Sequence, residues 1–225
     1  MSPLVNPAAL FRFRFSCLRR EKLWPPAAWG LDAACRLPTL AAVVGTPDVL
    51  ELSLAWNESG LAVRAVARGV GASRWCQPTR AEDSDGLHLW IATRPTGDSH
   101  RAGRFCRRLA LLPTGAGLRA DKPVAVAAAI PRTSEMPAEL PDGAVKLESR
   151  LEADGWRIDA CIAAAALPGW DPAANTAPGT SPTRRRARGW GSAPRWSIGA
   201  SAACPTRRRR SIRGTATPRP GPRSS

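Results

Sequence analysis

Tyrosine is absent from the 225 residues, and histidine and methionine occur twice each. That leaves few side chains able to exchange protons near neutrality, the groups on which acid–base catalysis most often draws. No HExxH, no GxSxG and no Gly-rich phosphate loop is present, so hydrolase, kinase and metalloprotease readings all lack required parts. The six cysteines, at 17, 35, 76, 106, 161 and 204, form no CxxC or other close pair that would seed a zinc site, and read as scattered reduced thiols. No metal or cofactor is expected. No apolar run approaches the roughly 20 residues of a membrane span. Leu10 to Leu18 is interrupted by Arg12 and Arg14 and does not read as an export signal. The expectation is a soluble chain of the cytoplasm with no membrane partner.

One absence is local. After Asp171 there is no aspartate, glutamate or lysine, while twelve arginines follow, so that residues 180–225 contribute +12 of the formal +15. The preceding residues are nearly balanced, with 21 basic against 18 acidic, and the overall hydrophobic fraction of 44% is that of a chain able to bury a core. Residues 179–225 are mostly Arg, Pro, Gly, Ser, Thr and Ala, too poor in apolar surface to offset the entropy of ordering. They are expected to be a disordered tail.

Between Val49 and Ile162 the pattern alternates with the period of strands. Leu50, Leu52 and Leu54 alternate with Val49, Glu51 and Ser53. The turn sequence Asn57-Glu58-Ser59-Gly60 follows, and then Leu61, Val63, Ala65 and Ala67 alternate with Ala62, Arg64, Val66 and Arg68. In Gly86 to Thr93, Leu87, Leu89 and Ile91 point one way and His88 and Trp90 the other. Phe105 to Leu112, Val124 to Ile130, Val145 to Leu151 and Trp156 to Ile162 complete seven strands, with turns at Asp142-Gly143 and Asp154-Gly155. Ala163 to Leu167 can make one helical turn before Pro168-Gly169, and no long amphipathic helix is legible. Seven short strands fit an all-β antiparallel sandwich, immunoglobulin-like or jelly-roll-like, over residues 47–178. Residues 1–46 are expected to wrap it through Phe11, Phe13, Phe15 and Trp24.

The most specific local pattern is the acidic corner Glu82-Asp83-Ser84-Asp85-Gly86, preceded by Trp75 and leading into Leu87-His88-Leu89-Trp90-Ile91. Trp75, the corner and its strand, together with Gly155-Trp156-Arg157-Ile158-Asp159-Ala160, resemble the β-sandwich domains grouped as family 9-like carbohydrate-binding modules or DOMON-like domains. The resemblance runs from about Pro47 to Pro178. It implies a non-catalytic domain that holds a saccharide between aromatic rings, one of them at the position of Trp75, and a further strand after Asp171. An indole face suits the C–H face of a pyranose, whose hydroxyls need carboxylates and amides nearby. The candidate ligand residues are Trp75, Asp83, Asp85 and Trp90, and the partner is a saccharide or similar small polar molecule. Asp83 and Asp85 have two readings: oxygen ligands for calcium or sugar hydroxyls, or a turn that caps its own backbone. His88 reads as structural and His100 as solvated. A glycosidase pair of Asp83 or Asp85 with Glu148 or Asp159 is formally available, but any chain offers such pairs, and no catalytic activity is expected.

The tail carries an alternative. Arg184, Arg185, Arg186 and Arg188, with Arg207, Arg208, Arg209 and Arg210, would neutralise phosphates of a nucleic acid or other polyanion in a salt-dependent way, and Trp190 and Trp196 would stack on bases. Against that stands the recurrence of Pro-Thr-Arg-Arg-Arg at Pro182 and Pro205 amid residues with GC-rich codons. A shift of one base turns such text into strand-like sequence with tyrosine, which reads residues from about 179 as out of frame.

Overall fold

The computed structural model describes residues 15, 17–28, 33–39, 48–71, 74–94, 103–130, 133, 137–172 and the backbone of 197–203. Among the described residues, nine strands form two sheets. β1 (Leu18–Arg19), β2 (Leu50–Asn57), β3 (Gly60–Arg68), β7 (Val145–Glu152) and β8 (Gly155–Ala163) make a five-stranded sheet in the order β1-β2-β3-β8-β7. β4 (Gly86–Ala92), β5 (Cys106–Ala116), β6 (Lys122–Ala128) and β9 (Ser197–Ala203) make a four-stranded sheet in the order β6-β5-β4-β9. All pairings are antiparallel except that of the two-residue β1 with β2. This is the antiparallel sandwich that the alternation predicts.

The period of two explains how the layers close. Leu52, Leu54, Leu61, Val63, Ile158 and Ile162 from the larger sheet meet Leu87, Leu89, Ile91, Leu109 and Leu111 from the smaller in one buried cluster, which also takes in Trp56 and Trp156. The intervening residues face outward and are covered in part. On the larger sheet Ala55 and Ala62 lie under Leu23 and Cys35 of the N-terminal segment. Trp56 Nε1 ties that segment down by donating to the Cys17 carbonyl at 2.9 Å, and Asn57 Nδ2 donates to the carbonyls of Arg20 and Glu21. Of the aromatics expected to make the wrap, Phe15 is 42% exposed and Trp24 is half-buried, and Leu23 and Cys35 make the buried contact. Phe11 and Phe13 lie outside the described residues.

Arg64, Arg157 and Asp159 share the outer face of the larger sheet. Asp159, directly opposite Arg64 in the β3–β8 register, accepts from Arg64 Nε and, at 2.7 Å, from Arg157 Nε. The Asp159 carboxylate therefore has two cations at hand on a largely covered face.

On the smaller sheet the outer face is covered by the Pro78–Asp83 turn of 3-10 helix, whose Ala81 packs with Ala110, Leu112 and Ala128. The helical turn expected near Leu167 is a single 3-10 turn, Ala164–Ala166. No disulfide links the described cysteines, and burial pushes the Cys17 thiol up to about 12, with Cys35 adding to the shift.

β9 corrects one expectation. Residues 179–225 were to carry no strand, yet Ser197–Ala203 pairs with β4, Ile198 opposite Ile91, Ala200 opposite Leu89 and Ala202 opposite Leu87. Glycine, serine and alanine are weak strand formers and give almost no hydropathic contrast, so the period of two in Ser-Ile-Gly-Ala-Ser-Ala-Ala is invisible until an edge is there to receive it. The rest of that segment, and with it the expected disorder and shift of frame, lies outside the described residues.

Candidate functional site

The segment from Trp75 to Asp85 closes on itself. The Trp75 amide donates to Asp85 Oδ2 at 2.7 Å, and the Asp85 amide donates to the Trp75 carbonyl at 2.8 Å. Inside this loop Ser84 Oγ accepts from the Gln77 amide at 2.8 Å and shares its proton between the carbonyls of Gln77 and Arg80, both at 3.0 Å. The short polar side chains of the acidic corner thus bond the backbone, as turn chemistry favours. Asp85 is 8% exposed, and its second oxygen, Oδ1, is enclosed and has no hydrogen-bond partner among the described residues.

Asp83 behaves differently. It is exposed and accepts from Arg80 at 2.6 Å, while the Arg80 guanidinium carbon stands 5.1 Å from the centre of the Trp75 ring. Trp75, Asp83 and Asp85 therefore share one corner, with Asp85 as the tie, Asp83 as the carboxylate open to solvent and Arg80 as a donor over the indole. Arg80 is absent from the residues singled out by sequence, although its place three before Asp83 in a helical turn is the spacing at which side chains meet.

Trp90 stands apart. It lies about five strand rises, roughly 17 Å, beyond Asp85 along β4. There the Arg108 guanidinium carbon is 5.0 Å from its ring centre, and the His88 ring is centred 6.3 Å away. No ring contact joins Trp75 to Trp90 among the described residues, so the two indoles are separate platforms.

His88 is 1% exposed beneath the Pro78–Asp83 turn. Its Nε2 faces the Ser84 carbonyl at 3.1 Å, which requires a proton there, and its Nδ1 faces Arg108 Nη2 at 3.4 Å, which requires a lone pair. Burial lowers its pKa below the ordinary 6.5, the Ser84 carbonyl opposes that, and the Arg108 charge adds to it. The native ring is neutral. As pH falls below about 6.5 the unfolded chain takes up a proton that the folded ring refuses until lower pH, so stability present above 6.5 is lost as pH falls through the folded value. Urea unfolding between pH 7.5 and 5 is expected to show this loss in the wild type, and a shallower one in His88→Gln. Equal slopes would mean that His88 is not the group responsible.

None of the four candidate carboxylate pairs is assembled. Glu148 and Asp159 are opposite one another on β7 and β8 of the larger sheet, Asp159 on its outer face, whereas Asp83 and Asp85 flank the turn that packs on the smaller sheet. No group of three or more His, Cys, Asp or Glu side chains placed to hold a metal occurs among the described residues. No helix among them is long and apolar enough to cross a membrane. His100, Trp190, Trp196 and Arg184 to Arg186, Arg188 and Arg207 to Arg210 all lie outside the described residues.

No family model matches the chain, and no curated protein matches it. Two solved structures are similar in part. A carbohydrate binding module family 9 from Caldicellulosiruptor kristjanssonii in complex with cellotriose is 14% identical, with a TM-score of 0.34 over 51% of this chain and 48% of that one. Such a module from the same organism in complex with glucose is 14% identical, with a TM-score of 0.35 over 53% and 51%. The match spans about half the length of either structure, and a likeness of that size fixes neither family nor ligand.

Proposed function

We propose that the chain is a non-catalytic binding module that takes a saccharide or similar small polar ligand at the Trp75 corner, as a family 9-like or DOMON-like domain would. The observation that carries this reading is the double tie between the backbones and carboxylate at Trp75 and Asp85, at 2.7 and 2.8 Å. It fixes the backbone that carries the indole in a partly exposed loop before any ligand arrives, and a preorganised loop costs less entropy on binding. Asp83 and Arg80 supply an acceptor and donors beside the ring for hydroxyl groups, and the buried Asp85 holds the Trp75 backbone.

The test is isothermal titration with neutral mono- and oligosaccharides after a glycan-array screen. Trp75→Ala is expected to weaken binding at least about 30-fold, the scale of a 2 kcal/mol anchor. Its unfolding curve should stay close to wild type, because the ties to Asp85 are made by the Trp75 backbone. Absence of binding by the wild type, or unchanged affinity in Trp75→Ala, overturns the reading. Retention on DNA or heparin that salt and removal of residues 180–225 both abolish would instead favour the tail arginines.

A further inference from the structure

We propose that the end of the smaller sheet where β5 begins is an anion site, which takes the oxyanion group of a small ligand, carboxylate or phosphate, between Arg104, Arg107 and Arg108. The inference is independent of the Trp75 reading. A cleft of about 130 Å³ opens there, lined by these three arginines together with Cys106, Ile130 and Pro168 among others. Sites for whole drug-sized ligands run to about 300–1,000 Å³, so this one has room for a small group.

Among the described residues these arginines have no acidic partner: no ion pair there joins Arg94, Arg104, Arg107 or Arg108 to a carboxylate. Arg108 is the most telling, because it is only 9% exposed. Its Nη1 donates to the Ala129 carbonyl at 2.9 Å and its Nη2 faces neutral His88 at 3.4 Å, while its buried Nε has no partner among the described residues. Arg107 also spends its donors on carbonyls, Nε on Ala166 at 3.2 Å and Nη1 on Ala138 at 2.6 Å. Carbonyl dipoles hold these side chains in place, and no carboxylate among the described residues opposes their charge.

Around them, the Arg94 and Arg104 guanidinium carbons stand 4.7 and 4.8 Å from the centre of the Phe105 ring. Four like charges gathered at one strand end repel each other, and withdrawing guanidinium groups from water costs more when no anion is near. Burial accordingly lowers the Arg107 pKa from its usual value. An oxyanion in the cleft would offset both costs, and planar guanidinium forks match the geometry of carboxylate and phosphate oxygens. A neutral sugar hydroxyl would offset neither.

The full chain is titrated with inorganic phosphate, with D-glucuronate and with D-glucose, against sodium chloride at matched ionic strength. Phosphate or glucuronate is expected to raise the unfolding temperature by roughly 5–10 °C at about a hundred times its Kd, and chloride and glucose are not. Whichever oxyanion binds more tightly identifies the source of the group. Arg104 is exposed, so Arg104→Ala should fold normally, and Arg108→Met places an unbranched apolar side chain at a buried position. Each is expected to raise Kd tenfold or more, although both keep all the arginines of residues 180–225. Trp75→Ala should leave the anion affinity at its wild-type value. No stabilisation beyond that by chloride, or a Kd unchanged in Arg104→Ala, overturns the proposal.

Discussion

Trp156→Ala is expected to destabilise the protein by about 3–5 kcal/mol, the range for removing a large aromatic from a packed interior. Trp156 is 2% exposed, stands opposite Ala67 on β3 and Leu151 on β7, and belongs to the cluster shared by both sheets. Alanine at this position leaves a void between layers whose neighbours are fixed by ladders on either side of β8, so collapse to fill it is limited. A domain stable by 5–15 kcal/mol would lose a large part of that margin. The unfolding temperature should fall by about 10 °C or more. Leu151→Ala, at a position 48% exposed on the edge strand β7, is the matched control and should change stability by less than about 1 kcal/mol. Comparable effects at the two positions would mean that the sheets are not stacked on Trp156.

The seven strands between Leu50 and Ala163 were legible because each carries bulky apolar residues at alternate positions, and because Asn57 to Gly60 and Asp154-Gly155 mark their hairpins. Burial of Leu87, Leu89 and Ile91 on one face, with His88 and Trp90 on the other, follows directly from that period. β1 and β9 were not legible for the same physical reason in two forms. Two residues are too few to show a period, and a run of Gly, Ser and Ala has one without contrast.

The candidate site divides along a similar line. Proximity of Trp75, Asp83 and Asp85 is legible from a turn-rich corner eleven residues long, but the difference in role is not. It depends on which carboxylate turns inward to its own backbone, and that is decided by packing of the Pro78–Asp83 turn on β5 and β6. The arginine cleft was the least visible. Arg104, Arg107 and Arg108 are close in sequence, yet Arg107 and Arg108 point to opposite faces of β5, paired with Ile91 and Trp90 respectively, and only the strand's end brings both to one opening.

Gly60→Ala and Gly155→Ala are expected to be the most damaging small substitutions in the chain. The two glycines begin β3 and β8, and each begins its strand where the other ends, Gly60 opposite Ala163 and Gly155 opposite Arg68. A Cβ on Gly60 would stand 2.1 Å from the Ile162 carbonyl oxygen, and one on Gly155 would stand 1.9 Å from that of Ala67. Both obstacles are backbone, so the methyl is accommodated only by prying apart the central ladder of the larger sheet. Gly60 also has φ of +149°, a conformation that L side chains rarely adopt. Overpacking a fitted site costs about 1–3 kcal/mol and a strained φ adds about 1–2, which puts Gly60→Ala near 2–5 kcal/mol and Gly155→Ala near 1–3. Gly143→Ala separates the contributions, because φ there is +69° with nothing within 4 Å of the added carbon, and it should cost about 1 kcal/mol from strain alone. Urea unfolding of the three variants checks the order Gly60, Gly155, Gly143. A Gly155→Ala protein as stable as wild type would show that β3 and β8 do not pair in this register, and the outward alignment of Arg64 with Asp159 would fall with it.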